Sequence, residues 1–175
     1  FIIMNTQEYE LPAGLSISWA NQDFLIVGAN SDGVVDGTQA VITGSALNSS
    51  TPMFAYASDG ADGGCWANIH FDAKDTAEHC IELTYGSGGA HGVHFVNCRF
   101  SNATDDGVNQ NSVSGYWNYM NCRFDNNGQC GLQQVSGSQF NLMYKCMFDN
   151  NGDNGLDCGG YARVVECVFH NNEDR

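Results

Sequence analysis

Four segments of the chain repeat one pattern: VNCRFSNATDDGVNQ (96–110), MNCRFDNNGQCGLQQ (120–134), YKCMFDNNGDNGLDC (144–158) and VECVFHNNEDR (165–175). Their cysteines, at positions 98, 122, 146 and 167, follow one another at intervals of 24, 24 and 21 residues. A phenylalanine stands two residues after each cysteine. A fixed period of this length is typical of a solenoid built from stacked repeats.

Within each period, short runs of alternating apolar and polar residues are separated by Asn, Asp and Gly, and no helical 3.6-residue pattern occurs. The run from Trp117 to Phe124 reads as one strand in which Met120, Cys122 and Phe124 share the buried face. Such repeats predict an all-β fold, a parallel β-helix in which each coil pairs only with its neighbours. Equivalent residues would then stack about 4.8 Å apart.

These repeats resemble the right-handed β-helix of the pectin-lyase-like superfamily, which includes polysaccharide lyases, polygalacturonase-type hydrolases, mannuronan epimerases and phage tailspikes. The resemblance rests on the aliphatic strand, the Asn-Cys-x-Phe segment, the Asn-rich turn and the Gly-aliphatic pair that follows, and it covers residues 65–175 best. It implies a right-handed solenoid and contact with polysaccharide. A shared fold does not imply a shared activity, since this fold hosts several chemistries.

The 175 residues give about seven coils of roughly 24 residues in a single domain. Residues 1–64 read as entry coils and residues 65–175 as the regular repeats. Because neither end carries a polar capping segment, we expect 1–175 to be one β-helix segment of a longer protein.

The chain has six Lys and Arg residues against twenty Asp and Glu residues, a formal net charge of −14. Without a basic run to neutralise phosphates, nucleic acid is not an expected partner. A strongly anionic polysaccharide would be repelled, whereas a neutral glycan would not. The sequence contains no apolar run of the roughly 20 residues that a membrane-spanning helix needs.

Four of the eight cysteines fall in one predicted inward column, Cys98, Cys122, Cys146 and Cys167. Side chains stacked in register on parallel strands point the same way, which does not suit the torsion of a disulfide. We therefore expect these cysteines to be reduced and buried, as in a protein that folds in a reducing cytosol.

On the shorter strand of each repeat, the inward positions are Ile81, Val108, Leu132 and Leu156. Alternation then sends Glu82, Asn109, Gln133 and Asp157 outward as one polar column. Amides and carboxylates in such a column suit the recognition of sugar hydroxyls. In the superfamily this strand forms the floor of the saccharide groove, but an ordinary solvated face has the same pattern.

The segment from Asp105 to Asn109 resembles the paired-aspartate turn of polygalacturonase-type hydrolases, in which two carboxylates activate water and protonate the leaving oxygen. Asp105 and Asp106 are therefore the candidate catalytic residues. The Gly-His-Gly of that family is replaced here by residues 128–131, Gly-Gln-Cys-Gly, and its basic signature is absent. The alternative is a pair of solvated turn aspartates.

Trp117 alternates with the predicted core positions and is therefore a candidate platform for stacking on a sugar ring. The Asn-rich turns at 125–128 and 149–154 offer oxygen atoms that could bind calcium. Asparagines that hydrogen-bond to one another along the rod are the alternative, and they imply neither a cofactor nor a metal.

Three functional hypotheses follow. The first is a polysaccharide-engaging module of a virion-surface protein, such as a phage tailspike or fibre, or of another extracellular protein, with a homotrimer as the assembly considered. The second is a glycoside hydrolase, lyase or epimerase acting on polysaccharide. The third is a structural spacer rod.

Overall fold

The computed structural model describes residues 2–12, 24–56, 63–83, 92–110, 116–134 and 141–174. Within these ranges the chain forms nineteen short strands and no helix. The strands are arranged in three sheets in which every pairing of neighbouring strands is parallel.

Each sheet takes strands from successive repeats. Sheet 1 contains β1 (Ile2–Met4), β3 (Leu25–Gly28), β6 (Cys65–Ala67), β9 (His94–Val96), β12 (Asn118–Met120), β15 (Asn141–Tyr144) and β18 (Ala162–Val165). Sheet 2 contains β2 (Glu8–Glu10), β4 (Ala40–Thr43), β7 (Ile69–Asp72), β10 (Arg99–Ser101), β13 (Arg123–Asp125), β16 (Met147–Asp149) and β19 (Val168–His170). Sheet 3 contains β5 (Phe54–Tyr56), β8 (Ile81–Leu83), β11 (Val108–Gln110), β14 (Leu132–Gln134) and β17 (Leu156–Cys158).

The register of the pairings reproduces the sequence repeat. Phe100 pairs with Phe124, and Phe124 pairs with Phe148, so equivalent residues of consecutive repeats are neighbours in sheet 2. Val108 and Leu132 are paired in the same way in sheet 3. The chain therefore stacks its repeats as a parallel β solenoid does, as the period predicts.

The run from Trp117 to Phe124 is not one strand, because the chain turns sharply at Asn121. Asn121 has a φ of 54°, in the left-handed region, and it separates β12 of sheet 1 from β13 of sheet 2. This turn shifts the alternation of side chains by one position. Trp117 and Tyr119 are consequently inside, at 0% exposure, and Met120 is only half-buried. The predictions that Trp117 faces outward and that Met120 is buried are both wrong.

Asparagine suits this turn because it tolerates the left-handed region better than other residues with a side chain. Asn68 and Asn97 occupy the equivalent positions, with φ values of 56° and 51°. Asn121 Nδ2 donates to Asn97 Oδ1 at 3.1 Å, and Asn97 Nδ2 donates to Asn68 Oδ1 at 2.9 Å. The same residue thus makes the turn and joins consecutive repeats.

A stack of phenylalanines fills the core beneath sheet 2. The ring centroids of Phe100 and Phe124 are 5.0 Å apart, and those of Phe124 and Phe148 are 4.7 Å apart, with nearly parallel planes. The stack continues to Phe71 on one side and to Phe169 on the other. The predicted inward column of phenylalanines is confirmed.

The cysteine column is also confirmed. Cys98, Cys122 and Cys146 are buried, Cys167 is half-buried, and all eight cysteines are free thiols. The buried thiols of this column, Cys98, Cys122 and Cys146, each donate to a backbone carbonyl of the preceding repeat. Cys122 Sγ, for example, lies 3.4 Å from the Phe95 oxygen. Burial raises the pKa of the Cys122 thiol well above its usual value, so this thiol is held in the neutral form.

A second asparagine ladder runs through the turns between sheets 2 and 3. Asn127 Nδ2 donates to Asn151 Oδ1 at 2.9 Å, and Asn151 Nδ2 donates to Asn172 Oδ1 at 2.8 Å. The same amides also bond to backbone groups, such as the Phe100 carbonyl. Asn127, Asn151 and Asn172 thus form the hydrogen-bonded ladder of asparagines that the sequence predicts as one alternative for these turns.

We expect Phe124→Ala to lower the free energy of unfolding by about 3 to 5 kcal/mol, because it removes a buried ring from the middle of the stack. Phe169→Ala is the matched control, since Phe169 ends the stack and is 48% exposed. Chemical denaturation of the two variants measures the difference. Equal losses would show that stacking along the rod does not determine the stability of the core.

We expect Cys158 to react first when the folded protein is treated with a thiol reagent, because it is the exposed cysteine. Cys98, Cys122 and Cys146 should react only after unfolding, since they are buried and thiols react as thiolates. Mass spectrometry of the labelled peptides identifies the modified residues. Cys158→Ser should abolish the fast phase, and rapid labelling of Cys122 would contradict the buried column.

Candidate functional site on sheet 3

The four polar residues predicted to line one face occupy one register column of sheet 3. Asn109 pairs with Glu82 on one side and with Gln133 on the other, and Gln133 pairs with Asp157. Exposure is lowest at Asn109 and highest at the Asp157 end of the column. Asn109 is 7% exposed, Glu82 and Gln133 are half-buried, and Asp157 is exposed. The column is the floor of the candidate site.

The amide of Asn109 is the centre of this column. Its Nδ2 donates to Gln133 Oε1 at 3.0 Å and to Asp106 Oδ2 at 2.7 Å. Its Oδ1 is buried and has no hydrogen-bond partner among the described residues. A buried oxygen of this kind is costly unless a ligand or solvent supplies a donor.

Asp106 is not on the surface of the site. It is 1% exposed, and its Oδ1 accepts the backbone N–H of Cys130 at 2.9 Å while its Oδ2 accepts the Asn109 amide. Burial raises the pKa of Asp106 from 3.8 to about 6. Asp106 Oδ1 thus bonds to the next repeat and Oδ2 bonds to the side chain of Asn109, so both oxygens accept hydrogen bonds from within the protein. The sequence pattern, which treated Asp105 and Asp106 as an equivalent pair, could not separate these environments.

His79 occupies the position equivalent to Asp106 in the preceding repeat, and sequence reasoning did not select it. It is 3% exposed, and its Nδ1 accepts the backbone N–H of Asp106 at 3.2 Å. Burial lowers the pKa of the His79 ring, which favours the neutral form with its proton on Nε2. The signal was present in the sequence, because His79 precedes Ile81 by two residues just as Asp106 precedes Val108.

Glu78 and Asp105 lie beside this buried pair and reach the surface. The backbone N–H of Asp105 donates to the Glu78 carbonyl at 3.0 Å, so the two residues are stacked on consecutive turns. One carboxylate oxygen of each and one nitrogen of His79 all lie within 4.8 Å of one another. Asp105, a predicted site residue, is therefore beside the column, and its nearest carboxylate neighbour in this group is Glu78.

Glu82 joins this acidic group from the strand that follows His79. Burial, and then the nearby Glu78 carboxylate, raise the pKa of Glu82. Asp157 is three strands away along the column. At about 4.8 Å per strand the separation is roughly 14 Å, beyond the ~5 to 9.5 Å that separates the carboxylates of a glycosidase. Glu82 and Asp157 are therefore too far apart to act together as the two carboxylates of a glycosidase.

Trp117, the predicted aromatic platform, is absent from this surface. Its ring is buried in the core and packs edge to face against Tyr56, with centroids 5.3 Å apart. The left-handed turn at Asn121 accounts for this placement, because it reverses which positions of β12 face the core.

A cavity of about 680 Å³ lies at the other end of the described strands, over Leu156, Phe169 and His170. It lies against Phe169, the last phenylalanine of the stack, which packs on Phe148. Glu82, Asn109 and Gln133 do not line it. The candidate site is thus the polar face of sheet 3 rather than this cavity.

No protein family, curated protein or solved structure was found to match the chain. In the part of the chain that the structure describes, no helix is both long and apolar enough to cross a membrane.

We expect Asp106 to make stability depend on pH. Its pKa is raised in the folded protein, so below about pH 4 it is protonated in both states and its stabilising contribution is complete. That contribution is lost as pH rises through about 6. The free energy of unfolding of the native protein, relative to that of Asp106→Asn, should therefore fall by about 3 kcal/mol between pH 4 and pH 7.

Denaturant titrations of both proteins across this range test the expectation. The comparison with Asp106→Asn removes the opposite contribution of His79, whose lowered pKa makes the folded state lose stability on acidification. A difference between the two proteins that does not change with pH would contradict the assignment.

Proposed function

We propose that the outer face of sheet 3 binds polysaccharide. The observation that carries the proposal is the register column of Glu82, Asn109, Gln133 and Asp157, which presents carboxylates and amides at each successive strand. Amides donate and accept hydrogen bonds, and carboxylates accept them, so together they complement the hydroxyl groups of a sugar chain. A polymer laid along the rod would meet one such group per strand.

We further propose that the solenoid is a right-handed parallel β-helix of about seven coils of roughly 24 residues, similar to the pectin-lyase-like superfamily. Support comes from the strong preference of parallel crossovers for the right hand. It also comes from the three parallel sheets, each of which takes strands from successive repeats.

The setting that we propose is the surface of a virion, as part of a phage tailspike or fibre, or another extracellular protein, with a homotrimer as its assembly. The formal charge of −14 supports a partner other than nucleic acid. The reduced cysteine column is compatible with folding in a reducing cytosol before assembly.

Binding without cleavage is the activity that the geometry favours. Hydrolysis by the pair Asp105 and Asp106 would need two carboxylates that reach the same glycosidic bond. Asp106 is buried, and its two oxygens accept hydrogen bonds from the Cys130 backbone and the Asn109 side chain. The proposal therefore assigns recognition to the column and gives Asp106 a structural role.

We expect Gln133→Ala to weaken binding of a neutral polysaccharide about fivefold, because it removes one amide contact worth about 1 kcal/mol. Affinity electrophoresis through gels that contain dextran, galactomannan or a soluble β-glucan provides the measurement. Asn118→Ala is the matched control, since Asn118 is a half-buried amide on sheet 1. Equal retardation of the protein and both variants in every gel would contradict the proposal.

A further inference from the structure

The Lys and Arg residues of the described chain lie outside the strands of sheet 3. Lys74 pairs with Asp72, Arg99 with Asp125, Arg123 with Asp149, and Lys145 with Glu166, and Arg163 lies on β18 of sheet 1. The five strands of sheet 3 contain no Lys or Arg. Their charged residues are Glu82 and Asp157, and the turns that lead into them add Glu78 and Asp105. This face has acids without paired cations among the described residues.

A second feature of the same face calls for a hydrogen-bond donor. Asn109 directs its Nδ2 to Gln133 and Asp106, and its other neighbour in the column is Glu82. The Oδ1 atom of Asn109 is buried and unpartnered among the described residues. Glu82, the register neighbour of Asn109, adds a carboxylate that only accepts hydrogen bonds when it is ionised, and the half-buried acids Glu78 and Asp105 lie in the same acidic group.

The orientation of His79 disfavours a metal ion as the occupant. A histidine that binds a metal normally donates its other ring N–H to an acceptor. Here Nδ1 of His79 faces a donor, the backbone N–H of Asp106, and accepts from it. A metal bound at Nε2 would move the ring proton to Nδ1. The Nδ1–H would then point at the backbone N–H of Asp106, so two hydrogen-bond donors would face each other. An ammonium group needs no ligand from His79, since it donates three hydrogen bonds and accepts none.

We propose that the glycan bound by sheet 3 carries amino groups, as a polymer of de-N-acetylated hexosamine does. This inference rests on the proposed polysaccharide binding and adds the chemical class of the sugar. One ammonium group occupies the position between Glu82 and Asn109 Oδ1, and others along the polymer reach Asp157. The hydroxyl groups bond to Gln133 and its neighbours in the column.

The test compares two oligosaccharides that differ in charge and acetylation, the hexamer of β-1,4-linked glucosamine and its fully N-acetylated form. Isothermal titration calorimetry is done with the native protein, under conditions in which the amines and the groove carboxylates are ionised. We expect the glucosamine hexamer to bind about tenfold more tightly, because two or three part-exposed ion pairs contribute modestly each. The advantage should disappear at high ionic strength.

Variants locate the effect on sheet 3. Glu82→Gln combined with Asp157→Asn should lower the affinity for the glucosamine hexamer at least about threefold, by removing two exposed or half-exposed charges. It should weaken binding of the N-acetylated hexamer less, because the amides that replace the carboxylates still bond to hydroxyl groups but no longer attract an ammonium group. Asp32→Asn is the matched control, since it removes one exposed charge from a loop outside sheet 3. Thermal unfolding confirms that each variant is folded.

Equal or tighter binding of the N-acetylated hexamer would overturn the inference and leave the proposed function intact. Binding of neutral polysaccharides without binding of either hexamer would overturn it in the same way. Stoichiometric binding of Zn²⁺ or Ca²⁺ alone, lost in Glu78→Gln, would also overturn it in favour of a metal site. Failure of every glycan to bind would reject the proposed function together with the inference.

Discussion

The parallel pairing of each repeat with the next is the constraint on which the rest of the structure depends. Because Phe100 pairs with Phe124 and Phe124 with Phe148, every side chain has its own equivalent as a neighbour about one strand spacing away. A residue that stacks well on itself is therefore favoured at each position. Phenylalanine stacks ring on ring, cysteine donates to the preceding backbone, and asparagine bonds to the next asparagine.

Charge is the property that this arrangement tolerates least, since like charges on neighbouring strands repel. In sheet 2 the like charges are compensated by opposite ones, because Asp125 contacts both Arg99 and Arg123. In the column of sheet 3 the repulsion is reduced by distance, since Asn109 and Gln133 separate Glu82 from Asp157. The ion pairs neutralise the charges of sheet 2, whereas the acids of the sheet 3 column have no paired cation among the described residues. This contrast in charge is the reason that sheet 3, rather than sheet 2, is the candidate binding surface.

Much of the fold could be predicted from the repeat alone, because stacking in register makes columns of similar residues directly visible in the sequence. The columns of Phe124, Cys122 and Leu132 are examples, and so is the column that contains Gln133. The prediction from alternating side chains was wrong at Trp117, because one residue in the left-handed region, Asn121, reverses which side chains face the core. The recurrence of asparagine at 68, 97 and 121 marks these turns, and it predicts the reversal once asparagine is taken as a turn residue rather than a strand residue.

The buried pair His79 and Asp106 shows why the candidate site was harder to predict than the fold. Two unlike residues fill equivalent positions because the position requires an acceptor for the next backbone N–H, and an imidazole nitrogen or a carboxylate oxygen can each supply it. The difference in residue type therefore hides the equivalence, and only the common offset from Ile81 and Val108 reveals it. The same requirement withdraws Asp106 from the surface and leaves Glu78, Glu82 and Asp105 beside it. The backbone's need for hydrogen bonds thus decides which acids of this turn support the fold and which can meet a ligand.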